Sequence, residues 1–400
     1  MTKSKVVSVF LLLTIALSAC QMVKTPEPTP VPPTATPLQP ATSTPIPPTA
    51  TATPTATLTP TPVYPEAGYG PSDFPADVNP LTGLKVADPT LLDRRPIIVK
   101  VENLPRADRP QWGLSQADMV YEYYTELGTT RFSAIFYGKD AEQVAPIRSA
   151  RLFDFNVIRG YKAEFIFGSA YEATYARLVN SEFSDRLILE GASSADVIYR
   201  FDPGGKNYLM ANTAALGSYL KSVGKDNSRQ NLDGVLYQMQ PPAGGSAADQ
   251  FYVHFSAAIY NRWDYDQASG RYLRFADSQD ALGGNPEAYV QLVDRANNAP
   301  IGAENVVVIF VRHNDIDART NVEVLDVSLL GTGPAYVARD GQLYKVKWQR
   351  TSETAVLTLI NEDGSPFALK PGQTWVEVMA INSSAEQKDG DWRFTFQSDW

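Results

Sequence analysis

Four hundred residues, 44% of them hydrophobic and 20% charged, have an ordinary globular composition, which excludes a wholly disordered chain, a coiled coil and a multispan membrane protein. A single cysteine excludes an internal disulfide framework and any multi-cysteine metal site, and two histidines, His254 and His313, leave little room for histidine chemistry. The chain has 35 basic and 44 acidic residues, net −9; beyond residue 65 there are 32 and 43, net −11, with no local Lys/Arg-rich stretch, which disfavours nucleic acid as a partner.

At the amino end, Lys3 and Lys5 precede an apolar run from Val6 to Leu17, too short for a hydrocarbon core that takes roughly 20 helical residues. The run ends in Leu17-Ser18-Ala19-Cys20: a branched residue, two small residues that let the chain enter a peptidase groove, and the chain's one thiol. This predicts a lipoprotein signal peptide over residues 1–19 and lipidation at Cys20; the alternative is a signal peptide with an incidental cysteine. Residues 25–62 hold 13 prolines and 13 threonines in 38 positions, with no aromatic residue and one charge, Glu27. Such a stretch buries too little apolar surface to offset its ordering entropy, so residues 20–65 are predicted to be a disordered tether, reaching on the order of 100 Å at polyproline pitch.

From Tyr64 the composition turns mixed. Pro96–Val101, Met119–Glu126 and Arg131–Tyr137 are rich in β-branched and aromatic residues and predict strands, the last two a hairpin around Gly128-Thr129-Thr130. Ala150–Tyr161 predicts a helix, Glu164–Phe167 a short strand, and Tyr171–Asn180 and Thr213–Val223 further helices, with Asn212 as N-cap of the last. The breaker-rich segment Lys225–Gly245 places a boundary near residue 240. Beyond it, Gln250–Phe255, Arg262–Asp266, Arg271–Phe275 and Asn305–Val311 predict strands, and Asp340-Gly341, Asp363-Gly364 and Asp389-Gly390 predict tight turns. The fold class expected is α+β: a mixed α/β N-terminal domain over 66–240 followed by a mainly β C-terminal domain over 241–400. No Gly-rich phosphate loop opens a βαβ unit.

The densest set of candidate binding residues is Arg109, Gln111, Glu122, Arg131, Arg148, Ser149 and Arg151. Two guanidinium forks close in sequence suit a carboxylate or phosphate, and Ser149 would cap a helix starting at Ala150 and leave free amides beside them. The competing reading is structural: Arg148 and Arg151 pair internally with Glu122, Glu126 or Asp154. Glu122 and Glu126, four apart on one strand, would sit about 13 Å from each other, wider than the roughly 5 to 10 Å of a glycosidase pair. No catalytic residue and no cofactor is assigned. His313-Asn314-Asp315-Ile316-Asp317 lacks the glycine and glutamate of a calcium loop, so no metal is assigned either. Tyr64, Tyr69, Trp112, Tyr121, Tyr123 and Tyr124 invite sugar stacking, but strand alternation sends Tyr121 and Tyr123 to one face and Tyr124 to the other, so at least one set is core.

Several blocks together resemble the YerB-like family of bacterial lipoproteins. They are Asn79-Pro80-Leu81-Thr82-Gly83, Arg95-Pro96 leading to Asn103, Arg109-Pro110-Gln111-Trp112-Gly113-Leu114, Ala117-Asp118, Val120-Tyr121-Glu122, Gly128-Thr129-Thr130-Arg131-Phe132 and Pro146-Ile147-Arg148-Ser149-Ala150-Arg151. The resemblance spans most of residues 70–390 and implies a two-domain α+β protein, exported and lipid-anchored at the cell envelope. The chain departs from it at Phe165-Ile166-Phe167-Gly168-Ser169 and Lys206-Asn207-Tyr208, where the family pattern carries histidine.

The functional expectation is an extracytoplasmic, lipid-anchored envelope protein that binds an anionic envelope polymer or peptide without catalysis. Its partners are the membrane, through the lipid, and a cell-wall polymer or envelope protein. A carboxylate-using envelope hydrolase and a scaffold for envelope proteins are the alternatives.

Overall fold

The computed structural model describes residues 64–202, 208–317, 323–398 and 400. The signal at 1–19, Cys20, the tether up to residue 63, and Lys206 and Asn207 therefore lie outside the described residues. The described residues are mostly β, with three α-helices: α1 Phe153–Tyr161, α2 Glu172–Val179 and α3 Leu216–Ser222.

From Tyr64 onward the described residues form one folded unit, built around an 11-stranded sheet that draws on both halves of the sequence. Asn305–Val311, an all-buried apolar run, and Met119–Tyr124 flank Thr374–Ala380, and both pair with it in parallel. On one side the sheet continues through Thr130–Phe136, Ile97–Glu102, Glu164–Ile166 and Leu187–Ile188, and on the other through Gly331–Arg339 and Gln342–Arg350. Asp340-Gly341 closes that last pair with φ of 54° and 73°, the left-handed backbone a two-residue hairpin turn needs. A seven-stranded sheet from the second half includes Gln250–His254, Tyr260–Asp266, Arg271–Asp277, Ser384–Lys388 and Asp391–Thr395.

Each face of the large sheet buries its own apolar cluster. Val120, Phe132, Val306 and Trp375 pack toward the smaller sheet against Phe251, Trp263, Tyr272 and Phe394. Tyr121, Tyr123, Val376 and Val378 pack on the other side with Phe153, Val157, Ile158 and Tyr161 of α1. The tyrosines of the 119–124 strand thus divide between faces as alternation requires, and Tyr121 and Tyr123 are core.

Two helix starts differ from the sequence expectation. Ala150 remains extended because its N–H donates to the Ser169 carbonyl at 2.7 Å in a bridge with Ala170, so α1 begins at Phe153 and Ser149 does not cap it. Asn212 accepts from the Ala214 amide at 3.0 Å in a local turn, and α3 starts only at Leu216, without a side-chain cap.

The two sheets are joined through buried charge. Arg274, on the smaller sheet, donates to Glu122 at 2.6 Å and to Glu377 at 3.1 Å; these glutamates are register partners on adjacent strands of the large sheet. Glu122 also accepts from Asn103 at 3.0 Å and Thr130 at 2.7 Å, and Glu377 from Trp263 Nε1 at 3.0 Å. The guanidinium carbon lies 4.7 Å from the Trp375 ring centre and 5.3 Å from that of Trp263. Burial, and then the neighbouring Glu122 charge, raise the Glu377 carboxyl well above the ordinary carboxylate range, so two carboxylates and one guanidinium coexist with a proton retained. Removing one member of such a buried group strands the others: Arg274→Ala is expected to lower unfolding free energy by about 3–5 kcal/mol in urea titration, with Glu122→Gln/Glu377→Gln added on top restoring part of it.

Candidate functional site

Strand alternation puts Ile98, Lys100 and Glu102 on the α1 side of the large sheet, opposite Ile135, Ser133 and Arg131 of the neighbouring strand. Arg131 in turn faces Tyr123. A row of polar groups therefore crosses one end of an otherwise apolar surface, and the Ala145–Leu152 segment folds over it: Ile147 bridges Val101, and the Arg148 N–H donates to the Lys100 carbonyl at 2.9 Å.

At the centre of this row, Glu126 lies just beyond the end of its strand and takes both nearby arginines. Arg131 donates to it at 2.9 Å, and Arg151 holds it through Nε at 2.6 Å and through Nη2. Arg131 also donates to the Ser149 carbonyl, and Ser149 and Ser169 share a hydrogen bond of 2.7 Å between their hydroxyls. Arg148 pairs with Glu102. Beneath them, the buried Asp154 carboxylate accepts from Lys100, Tyr123, Ser133 and the Arg151 amide at 3.2, 2.7, 2.7 and 2.7 Å.

The charges in this cluster are unevenly compensated. Burial, then the Arg151 charge, push the Arg131 guanidinium down to about 10. Burial raises Glu102 to about 7 against the pull of Arg148, and its Oε2 is buried with no hydrogen-bond partner among the described residues. Burial pushes Lys100 down to about 7, with Asp154 opposing. Burial works against the charged form of Glu126 as well, but its bonds to Arg151 and Arg131 prevail and hold it below the usual carboxylate range.

The seven candidate residues do not form one group. Arg131, Arg148, Ser149 and Arg151 come together here, half-buried. Glu122 points to the opposite face, fully buried against Arg274. Arg109 reaches the smaller sheet, donating to both carboxylate oxygens of Asp277 at 3.0 and 3.1 Å. Gln111 is buried and donates to the Glu102 carbonyl at 2.9 Å, behind the cluster. Lys100, Glu102, Ser133 and Asp154 were not among the candidates; a lysine at an alternate position inside the apolar run Pro96–Val101 is the signal that marks them.

Beside the cluster is a cavity of about 140 Å³, whose walls include Tyr123, Glu126, Arg151, Leu152, Phe153, Thr174, Glu323, Leu325 and Val327. Elsewhere, the His254 ring nitrogen lies 2.9 Å from Glu287, and His313 is hydrogen-bonded to the Val311 carbonyl and stacked on Trp400. Among the described residues no three His, Cys, Asp or Glu side chains are grouped to hold a metal ion.

Lys100 gives a pH test. Between about 7 and 10.5 the unfolded chain keeps a proton on this lysine that the folded chain has released, so its contribution to stability rises with pH across that window. In Lys100→Met, melting temperature followed over the same range should lose that rise.

A mostly β fold built on two large sheets, with an arginine–carboxylate cluster at one end of the larger, defines the structural class. Family models described as "Protein of unknown function (DUF3048)" match its N-terminal domain to residues 81–225 and its C-terminal domain to residues 251–376, and the chain belongs to this two-domain, YerB-like family. It is 25% identical over 320 residues to the "Putative lipoprotein YerB" of Bacillus subtilis (strain 168), covering 78% of this chain and 89% of that protein. The crystal structure of YerB protein from Bacillus subtilis superposes with a TM-score of 0.63 over 76% of this chain and 96% of that one at 23% identity, a likeness of fold.

Proposed function

We propose that this is an exported, lipid-anchored protein of the cell envelope, held outside the cytoplasm by a lipid on Cys20 and a Pro/Thr-rich tether, whose folded part binds an anionic envelope polymer or peptide without transforming it. The basic leader, the short apolar run and the Leu17–Cys20 pattern support the anchoring, as does a curated relative described as a putative lipoprotein. No helix among the described residues is long and apolar enough to cross a membrane. In domain terms we read 66–240 as the mixed α/β part, since all three described α-helices fall there, and 241–400 as the mainly β part.

The observation that carries the binding reading is the sharing of one carboxylate, Glu126, by two crowded guanidiniums, Arg131 and Arg151. An anion supplied from outside would complete the compensation that Glu126 alone gives, and guanidinium forks take carboxylate or phosphate oxygens in pairs. Arg131, Arg148, Ser149 and Arg151 are the ligand-facing residues in this reading; Arg109, Gln111 and Glu122 hold the framework behind them. Carboxylate catalysis finds no support at Glu122, which is fully buried and hydrogen-bonded to Asn103, Thr130 and Arg274.

Retention of the full chain on cell-wall fragments tests this. Arg148→Ala/Arg151→Ala should reduce retention at least about tenfold, the loss of one or two charge-assisted hydrogen bonds, and retention by the wild type should weaken with salt. Unchanged retention of every fraction by a variant that melts cooperatively removes the site.

A further inference from the structure

The arginine cluster explains affinity for an anion but says nothing of what the anionic group is attached to. The neighbouring cavity does. Arg151 belongs to both: it pairs with Glu126 in the cluster and forms part of the cavity wall. Its Nε, Nη1 and Nη2 each donate once, to Glu126 and to the Ala150 carbonyl. A guanidinium carries five N–H groups, so donors remain for an incoming acceptor.

Next to that guanidinium the wall is apolar, made by Leu152, Phe153, Leu325 and Val327, all buried. At about 140 Å³ the cavity is close to the size of an apolar cavity of about 150 Å³ that accepts a benzene-sized group. The opposing charges in the wall are Glu126, already held by Arg131 and Arg151, and Glu323, whose Oε2 is already engaged by the Tyr124 hydroxyl at 2.9 Å and the Leu127 amide at 2.6 Å. A phosphate chain has no group that would fill such a space, whereas the end of a peptide has both parts.

Resting on the anion-binding reading above, we propose that the ligand is a carboxylate-terminated peptide whose last side chain is compact and apolar, the carboxylate on Arg151 and the side chain in the cavity. The occupant is of leucine or phenylalanine size. Arg131 lends charge to the same end through the shared Glu126.

Titration of the full chain with N-acetyl-leucine, N-acetyl-leucinamide, leucinamide, acetate and inorganic phosphate separates the parts. N-acetyl-leucine is expected to bind at least about tenfold more tightly than its amide and than acetate, the first ratio reading the carboxylate and the second the cavity. Val327→Phe, which fills the space, should abolish the advantage over acetate and leave phosphate binding intact. If that variant does not fold, Leu152→Ala decides: the enlarged cavity should shift preference from N-acetyl-leucine to N-acetyl-tryptophan.

Phosphate binding with no preference for N-acetyl-leucine over acetate overturns the peptide assignment and leaves the arginine site standing. Tighter binding of leucinamide than of N-acetyl-leucine also overturns it, since an amine would then be the recognised group. Failure of every anion to bind removes both readings.

Discussion

The buried pairing of the two sheets centres on Arg274. Its guanidinium is buried between two glutamates that the parallel register of the large sheet places side by side, and it stands over the rings of Trp375 and Trp263. Two adjacent carboxylates taken out of water repel each other strongly at low dielectric, and one cation compensates only one of them. Burial and the Glu122 charge bias Glu377 toward its protonated form, and Trp263, Asn103 and Thr130 supply donors. Together with the close packing of the two faces, this arrangement favours one alignment of the sheets.

That alignment reaches the candidate site through the shared strand. The Met119–Tyr124 strand turns Glu122 toward Arg274 and Tyr121 and Tyr123 toward α1, then ends just before Glu126. One face is a closed lock, and the other is a support on which Asp154 and Lys100 sit beneath three arginines. Asp154 accepts four hydrogen bonds and is fully engaged, whereas Glu126 is divided between two cations and Glu102 is pushed up to about 7 by its burial. Rigidity and incomplete compensation thus meet around one strand of the large sheet, which is the usual requirement of a preorganised binding surface.

The short-range features were legible in the residues. The apolar runs at 97–102, 119–124 and 305–311 and the Asp-Gly turn at 340–341 appear where composition and turn chemistry put them, because strand propensity and left-handed turn geometry are local. The start of α1 was not, since the extended state of Ala150 is imposed by a bridge to Ala170. Nor was the Arg274–Glu122 pairing, across 152 positions, to which no periodicity points. The candidate arginines were found as residue types in a motif, but only Arg131 lies on a strand, and Arg109, Arg148 and Arg151 are placed by irregular segments that no periodicity describes; counting from Ile97 would have put Lys100 and Glu102 beside Arg131. The long tether and Cys20 were read entirely from composition and pattern.

The insertion of Thr374–Ala380 between Asn305–Val311 and Met119–Tyr124 governs how the chain can be assembled. Until residues near 380 are available, the hairpin of the first half presents an open, unsatisfied edge. A polypeptide threaded through a membrane from its amino end would stay incomplete on the far side until that strand emerged. Cooperativity would then wait for that strand, and the emerging first half would need shielding from neighbours that could pair with that edge.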